Sequence, residues 1–221
     1  MPDLVIVTGT DTGVGKTWVT CAVARALSER GIDVLALKLV ESGTAESVQQ
    51  DEDGVLLANA TGQDCPTAAL RRYRAPLTPA DAAALEGLDV DMPAIEREML
   101  RHATPHRLTL VEGAGGLLAP LATDRTLLDV AATHGARMLV VAADRLGMLN
   151  HTLLTLTALD GAGVTCAGVI VNTVDGINST ADRSVGRNAA MLREVDPGVP
   201  LVETATPDWT ETVVGWLQLG S

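Results

Sequence analysis

The chain has 221 residues, 47% of them apolar, three cysteines and a formal net charge of −12. That length suits one α/β domain or two very small ones, the expectation being a single domain over 1–221, and a core of that size needs no disulfide or metal staples. The charge repels a phosphate backbone, and with almost no aromatic stacking surface it argues against a nucleic-acid partner; the acidity reads as a solubility feature.

The aromatic residues are Trp18, Tyr73, Trp209 and Trp216, so the core must be built from Ala, Val and Leu, which suits parallel strands covered by helices. Cys21, Cys65 and Cys166 lie outside any C-x-x-C spacing and read as reduced, mostly buried thiols. Without a basic leader or a long apolar run, the expected location is cytoplasmic, with no membrane partner.

A buried strand over 4–7 runs into T-G-T-D-T-G-V-G-K-T at 8–17, and a helical pattern over 16–30 follows. Strand, glycine turn and helix in that order form a phosphate-binding loop, with backbone amides and a helix N-terminus converging on an anion. Gly13, Val14 and Gly15 shape the cradle. Lys16 offers a point charge to the β- and γ-phosphates, and Thr17 a hydroxyl for Mg²⁺. The strict G-x-x-x-x-G-K-[ST] pattern is missed by one residue, because Thr10 stands where its first glycine belongs.

Further strands are expected over 34–38, 108–112, 137–142, 165–171 and 201–202. Helices are expected over 51–59, 79–86, 93–102, 127–134, 150–160, 181–193 and 210–217. Short β-branched runs alternating with helices predict a doubly wound, mainly parallel sheet of the P-loop NTPase type. Gly31, Gly135 and Gly163 fall where left-handed helix ends belong. Residues 41–79 are the least regular stretch and read as a substrate loop.

The polar residues gather at strand ends, where open α/β sheets bind ligands. Glu112 closes L-T-L-V-E before a glycine run, as a Mg²⁺ carboxylate or a solvated loop acid. Asp53 belongs to the acidic run 51–53, as a second metal ligand or a helix-start acid. Lys38 ends a hydrophobic strand, as a phosphoryl-stabilising cation or a snorkelling side chain. Gly147, Met148 and Asn150 open a helix whose free amides suit a carboxylate, although Asn150 alone reads as an N-cap. His151 has no evident partner and reads as structural.

The segments at 7–17, K-L-V-E-S-G at 38–43, Asp53, A-P-L-T-P-A at 75–80, V-E-G-A-G-G at 111–116, L-G-M-L-N-H-T at 146–152 and G-V-I-V-N at 168–172 together resemble the ATP-dependent dethiobiotin synthetases of biotin synthesis. The resemblance covers nearly the whole chain. It implies a homodimer that converts ATP, CO₂ and 7,8-diaminononanoate to dethiobiotin, ADP and phosphate through a carbamate. It further implies that Lys16 bridges the phosphates, that Thr17, Asp53 and Glu112 hold Mg²⁺, and that Lys38 steadies the carbamate and the phosphoryl group. Thr12 and Ser42 would line the carbamate pocket. Gly147, Met148 and Asn150 would take the substrate carboxylate across the dimer interface, and Asn172 would read the adenine edge.

The chain departs from that family's pattern at Leu39, where proline is common, at Glu41, an added acid that would weaken phosphate binding or face solvent, and at Gly13, where some members carry glutamate. The other reading is a ParA/MinD-type switch ATPase, whose loop begins with an additional lysine; Asp11 occupies that place here. An amidotransferase of the cobyrinate type would need a glutaminase domain that this length cannot hold.

Overall fold

The computed structural model describes residues 2–173 and 182–218. The chain runs β1 (Asp3–Gly9), α1 (Lys16–Glu29), β2 (Val34–Lys38), β3 (Val40–Ser42), α2 (Asp53–Thr61), β4 (Arg71–Tyr73), α3 (Pro79–Leu85), α4 (Met92–Ala103) and β5 (Leu108–Gly116). It continues through β6 (Pro120–Ala122), β7 (Arg125–Thr126), α5 (Leu127–His134), β8 (Arg137–Ala143), α6 (Met148–Gly161), β9 (Cys166–Asn172), α7 (Asn188–Val195), β10 (Leu201–Glu203) and α8 (Trp209–Gln218).

Six strands form one sheet in the order β10-β9-β8-β1-β5-β2, and its neighbouring strands all run parallel. The expected doubly wound α/β fold is therefore the observed one. Side chains alternate across each strand. Leu4 and Ile6 of β1 join a core with α4, α5 and α6, while Val5 and Val7 join a second core with α1, α2 and α8. Each face of the sheet thus buries its own helical layer.

β1 sits between β5 and β8, so the chain leaves the first strand toward one side of the sheet and later returns to the other. Such a reversal opens a crevice beyond the strand ends, and the phosphate loop follows β1 there.

Several boundaries differ from expectation: the strand expected over 108–112 continues to Gly116, so Glu112 lies inside β5 and not at its end, and α2 spans Asp53–Thr61 where 51–59 was expected. The helix expected over 181–193 begins at Asn188; residue 181 lies outside the described residues, and 182–187 form turns. The Asp182 carboxylate accepts the Ser184 amide and hydroxyl, offering the backbone an alternative to helix, and Gly186 has φ +76°. The helix expected from Asn150 begins at Met148 with Gly147 as its N-cap, so Asn150 is not the cap. The stretch 41–79 is more ordered than its composition implied, because β3 and β4 pair in parallel and α2 lies between them. Gly31, Gly135 and Gly163 take positive φ, as helix ends require. The thiols also differ in part: Cys21 is buried and Cys166 half-buried, but Cys65 is exposed.

Candidate active site

The site begins with strand register. Lys38, the last residue of β2, is paired with Glu112 of β5, and Glu112 is paired with Val7 at the entry to the phosphate loop. Neighbouring strands lie about 4.8 Å apart. Two long side chains at paired positions can therefore meet, and these do: Lys38 Nζ is 2.6 Å from Glu112 Oε1. The same ammonium lies 2.6 Å from Asp53 Oδ2 at the start of α2. Thr17 Oγ1 donates to Glu112 Oε1 at 2.8 Å, which ties the first turn of α1 to the cluster.

These groups line a cavity of about 350 Å³ with Lys16, Thr12 and Ser42. Burial pushes the Lys16 ammonium down and the nearby Lys38 charge adds to this, offset in part by Glu112, Asp53 and Asp11, so its pKa lies below the usual lysine range. Burial also works against Lys38, but Glu112 and Asp53 outweigh it and hold that ammonium above the usual range. Burial opposes ionisation of Asp53, yet Lys38 prevails and draws the carboxyl below the ordinary aspartate value.

The loop closes upon itself. Gly13 and Gly15 have φ of +74° and +88°, a region L side chains rarely enter. At Gly9 a Cβ would lie 2.7 Å from the Asp11 carbonyl and 3.1 Å from Lys16 Nζ, so only glycine permits this path. Lys16 Nζ donates to the Asp11 carbonyl at 3.2 Å, and the Asp11 carboxylate pairs with Arg145 at 2.7 Å. Thr12 donates its amide to Asp11 Oδ1.

Glu41 lines the same cavity and does not simply face solvent. Its carboxylate accepts the amides of Asp53 at 2.7 Å and Gly54 at 3.0 Å, capping α2 from a neighbouring strand. Burial raises its pKa, with these two amides working the other way. Leu39 is wholly buried, and its amide donates to the Glu112 carbonyl at 3.2 Å, a bond the family's proline cannot make.

The other expected site residues lie as follows. Ser42 faces the cavity with its hydroxyl donated to the Leu77 carbonyl at 2.7 Å. Asn172 is buried; its Nδ2 donates to the Val14 carbonyl at 3.0 Å, and its Oδ1 accepts from Thr204 Oγ1 at 3.0 Å. Gly147, Met148 and Asn150 are not in the phosphate-loop cavity. They open α6, where the Met148 amide donates to the Arg145 carbonyl and the His151 amide to the Gly147 carbonyl. Beside α6 lies an apolar cavity of about 240 Å³, lined by Leu118, His151 and Leu154 together with Gly9 of β1.

Sequence reasoning overlooked Asp144, the residue that follows β8. It is buried and accepts the Gly186 amide and Asn188 Nδ2, each at 2.7 Å. An acid ending the apolar run M-L-V-V-A-A was a readable signal. The capping role of Glu41 had none, since its partners lie 12 and 13 residues away.

The donor set at the Lys38 cluster suits Mg²⁺. Thr17, Asp53 and Glu112 offer hard oxygens, and Glu112 Oε2 is fully buried with no hydrogen-bond partner among the described residues. An unpartnered buried carboxylate oxygen is costly and calls for a cation. Mg²⁺ typically takes one or two carboxylates together with substrate phosphates, and this arrangement provides for both.

A family model described as an AAA domain matches residues 3–202. The chain is 41% identical over 197 residues to the ATP-dependent dethiobiotin synthetase BioD of Anaeromyxobacter dehalogenans, covering 88% of this chain and 86% of that protein. It is 43% identical over 201 residues to the protein of the same name from Mycobacterium tuberculosis H37Ra, again covering 88% and 86%. Among solved structures, MinD with Mg-ADP from Pyrococcus horikoshii superposes with a TM-score of 0.54 at 18% identity, covering 98% of this chain and 86% of that one. A Cyanothece McdA–ATP complex gives 0.54 at 15% identity, covering 99% and 96%. These two share the fold only. By its close sequence relatives the chain belongs to the family of ATP-dependent dethiobiotin synthetases, enzymes of biotin biosynthesis.

Proposed function

We propose that the cluster around Lys38 carries out ATP-dependent carboxylation and ring closure of 7,8-diaminononanoate, within a single domain over 1–221 and in the cytoplasm. The observation that carries this reading is the meeting of Lys38 with Glu112 and Asp53 beside the phosphate loop.

One substrate amine adds to CO₂ and loses a proton, giving a carbamate. A carbamate oxygen attacks the γ-phosphorus of ATP, the bond to the bridging oxygen breaks, and ADP leaves. The second amine attacks the carbonyl carbon of the resulting carbamic–phosphoric anhydride. Phosphate departs with the bonding pair, the nitrogen loses its proton, and the five-membered ureido ring is closed.

Phosphoryl transfer needs positioning and charge stabilisation more than covalent help. Lys16 is placed to leave the Asp11 carbonyl for the β- and γ-phosphates, and the lowered pKa of its ammonium is consistent with sparse solvation. Lys38, held charged by two carboxylates, stabilises the carbamate and the transferring group. Thr17, Asp53 and Glu112 would hold Mg²⁺, which supplies charge neutralisation at the phosphates. Thr12 and Ser42 border the carbamate, and the Ser42 oxygen keeps lone pairs to accept from it. Asn172 anchors Val14 and has one N–H left for the adenine edge. Ring closure joins groups already tethered in one molecule, an advantage of roughly 7–11 kcal/mol over the bimolecular reaction.

The substrate carboxylate is assigned to the start of α6, at Gly147, Met148 and Asn150, in a homodimer. Exposed Leu118, Leu146 and Leu154 around that helix support an interface there. Among the described residues no helix is long and apolar enough to cross a membrane. A switch ATPase finds no support in the loop, where Asp11 pairs with Arg145.

The test is phosphate release with and without diaminononanoate and bicarbonate. Release that requires both agrees with the synthetase, and release indifferent to both returns the chain to the switch class.

A further inference from the structure

Trp18 is the residue after Thr17 in the first turn of α1, and it is 56% exposed although it borders the phosphate-loop cavity. Its ring stacks on Trp209, with centroids 5.7 Å apart and planes inclined by 23°. Trp209 is 9% exposed and opens α8, which packs on α1, so a buried ring anchors the exposed one. The chain has only three tryptophans and no phenylalanine, and two of the three form this pair. Core packing explains Trp209 and leaves the exposed face of Trp18 without a structural role.

The surroundings supply one. The first amide of α1 with a helical partner is that of Val19, bonded to the Gly15 carbonyl at 3.0 Å. The amides of Lys16, Thr17 and Trp18 precede it and are free of helical partners, as phosphate-binding amides must be. A base hangs one ribose away from the phosphates, and the indole rises from that same turn. Asn172 is buried and bonded to Val14 and Thr204, so the N–H it has left can meet only the edge of a base and leaves the faces of the ring uncovered.

We propose that the exposed indole of Trp18, braced by Trp209, is the face on which the nucleobase of the bound nucleotide stacks. This rests on the ATP-site reading above and deepens it. A π-face accepts any base, so the contact adds affinity without choosing purine over pyrimidine.

The test is calorimetric titration of wild type, Trp18→Ala and Trp18→Phe with Mg-ADP and, separately, with inorganic tripolyphosphate. Trp18→Ala is expected to weaken ADP binding about 5- to 150-fold, with tripolyphosphate binding unchanged and Trp18→Phe recovering most of the loss. Unchanged tripolyphosphate binding also reports that the variant is folded. ADP binding at the wild-type level in Trp18→Ala, or equal loss of both ligands, overturns the proposal. If wild type binds neither ligand, the nucleotide-site reading itself falls, a result distinct from either of these.

Discussion

Lys38 Nζ contacts Glu112 Oε1 at 2.6 Å because the two residues are register partners on adjacent strands. No loop has to close to bring them together. Glu112 is wholly buried and its other carboxylate oxygen has no partner among the described residues, so the ammonium is the counter-charge that makes its burial tolerable.

Replacing Lys38 by methionine is therefore expected to destabilise the fold as well as abolish turnover. Removing one member of a buried pair costs about 3–5 kcal/mol, because the remaining charge is left uncompensated. Added Mg²⁺ should raise the melting temperature of Lys38→Met more than that of wild type, a cation taking over the neutralisation. Calorimetric melting with and without Mg²⁺ checks this. Equal shifts in the two proteins would remove Asp53 and Glu112 from the metal site.

Lys16→Ala should behave in the opposite manner. Among the described residues the Lys16 ammonium donates only to a loop carbonyl, at 3.2 Å, so its loss leaves the core intact. ATP-dependent turnover should fall by roughly two to three orders of magnitude, the usual effect of deleting one electrostatic stabiliser. Retained turnover would sink the phosphate assignment, and circular dichroism shows whether the fold is kept.

Glu41 is expected to tune the metal site through α2. Its carboxylate caps the Asp53 and Gly54 amides, and Asp53 carries one of the metal oxygens. Glu41→Ala should cost about 0.5–2 kcal/mol, as the loss of a helix cap does. Hydrogen exchange at those two amides should quicken, and more Mg²⁺ should be needed for half-maximal turnover. Glu41→Gln, which keeps an acceptor, should fall between. Unaltered exchange would show that the cap does not hold α2.

Far from the site, Glu96 accepts both arms of Arg125 at 2.9 Å and His134 Nε2 at 2.7 Å, pinning α4 to β7 and α5. Burial opposes its ionisation, but Arg125 and His134 outweigh burial and set its pKa below the ordinary 4.5. A depressed folded-state pKa contributes stability that is complete above the unfolded value and disappears as pH falls through the folded one. Glu96→Gln should be less stable near neutrality by about 1–3 kcal/mol and lose less on acidification below 4.5. Melting temperatures from pH 7 to pH 3 provide the comparison, and parallel curves would contradict it.

Much of this was legible in the chain because it is local. The alternation of Leu4 and Ile6 with Val5 and Val7 encodes a strand buried on both faces, and Gly13 and Gly15 encode the loop that follows. The apolar runs that lead to Lys38 and Glu112 foretold a common rim, although β5 continues to Gly116 and it is register pairing that brings the two residues together. What was not legible depends on distance along the chain. Short strands such as β3 and β4 exist only through each other, and the cap from Glu41 crosses between elements. Asn150 looked like a cap from composition alone, but the left-handed Gly147, at φ +91°, starts the helix earlier. Trp18 gave no signal as a ring next to a phosphate loop until Trp209 was found beneath it.

The most direct measurement is the fate of isotope-labelled bicarbonate in a reaction containing ATP, Mg²⁺ and 7,8-diaminononanoate, followed by mass spectrometry of the product and by phosphate release. The account predicts dethiobiotin carrying one labelled carbon in its ureido carbonyl, with one phosphate released per ring formed, and both products formed roughly two to three orders of magnitude more slowly by Lys16→Ala. Phosphate release without label in the product would contradict it.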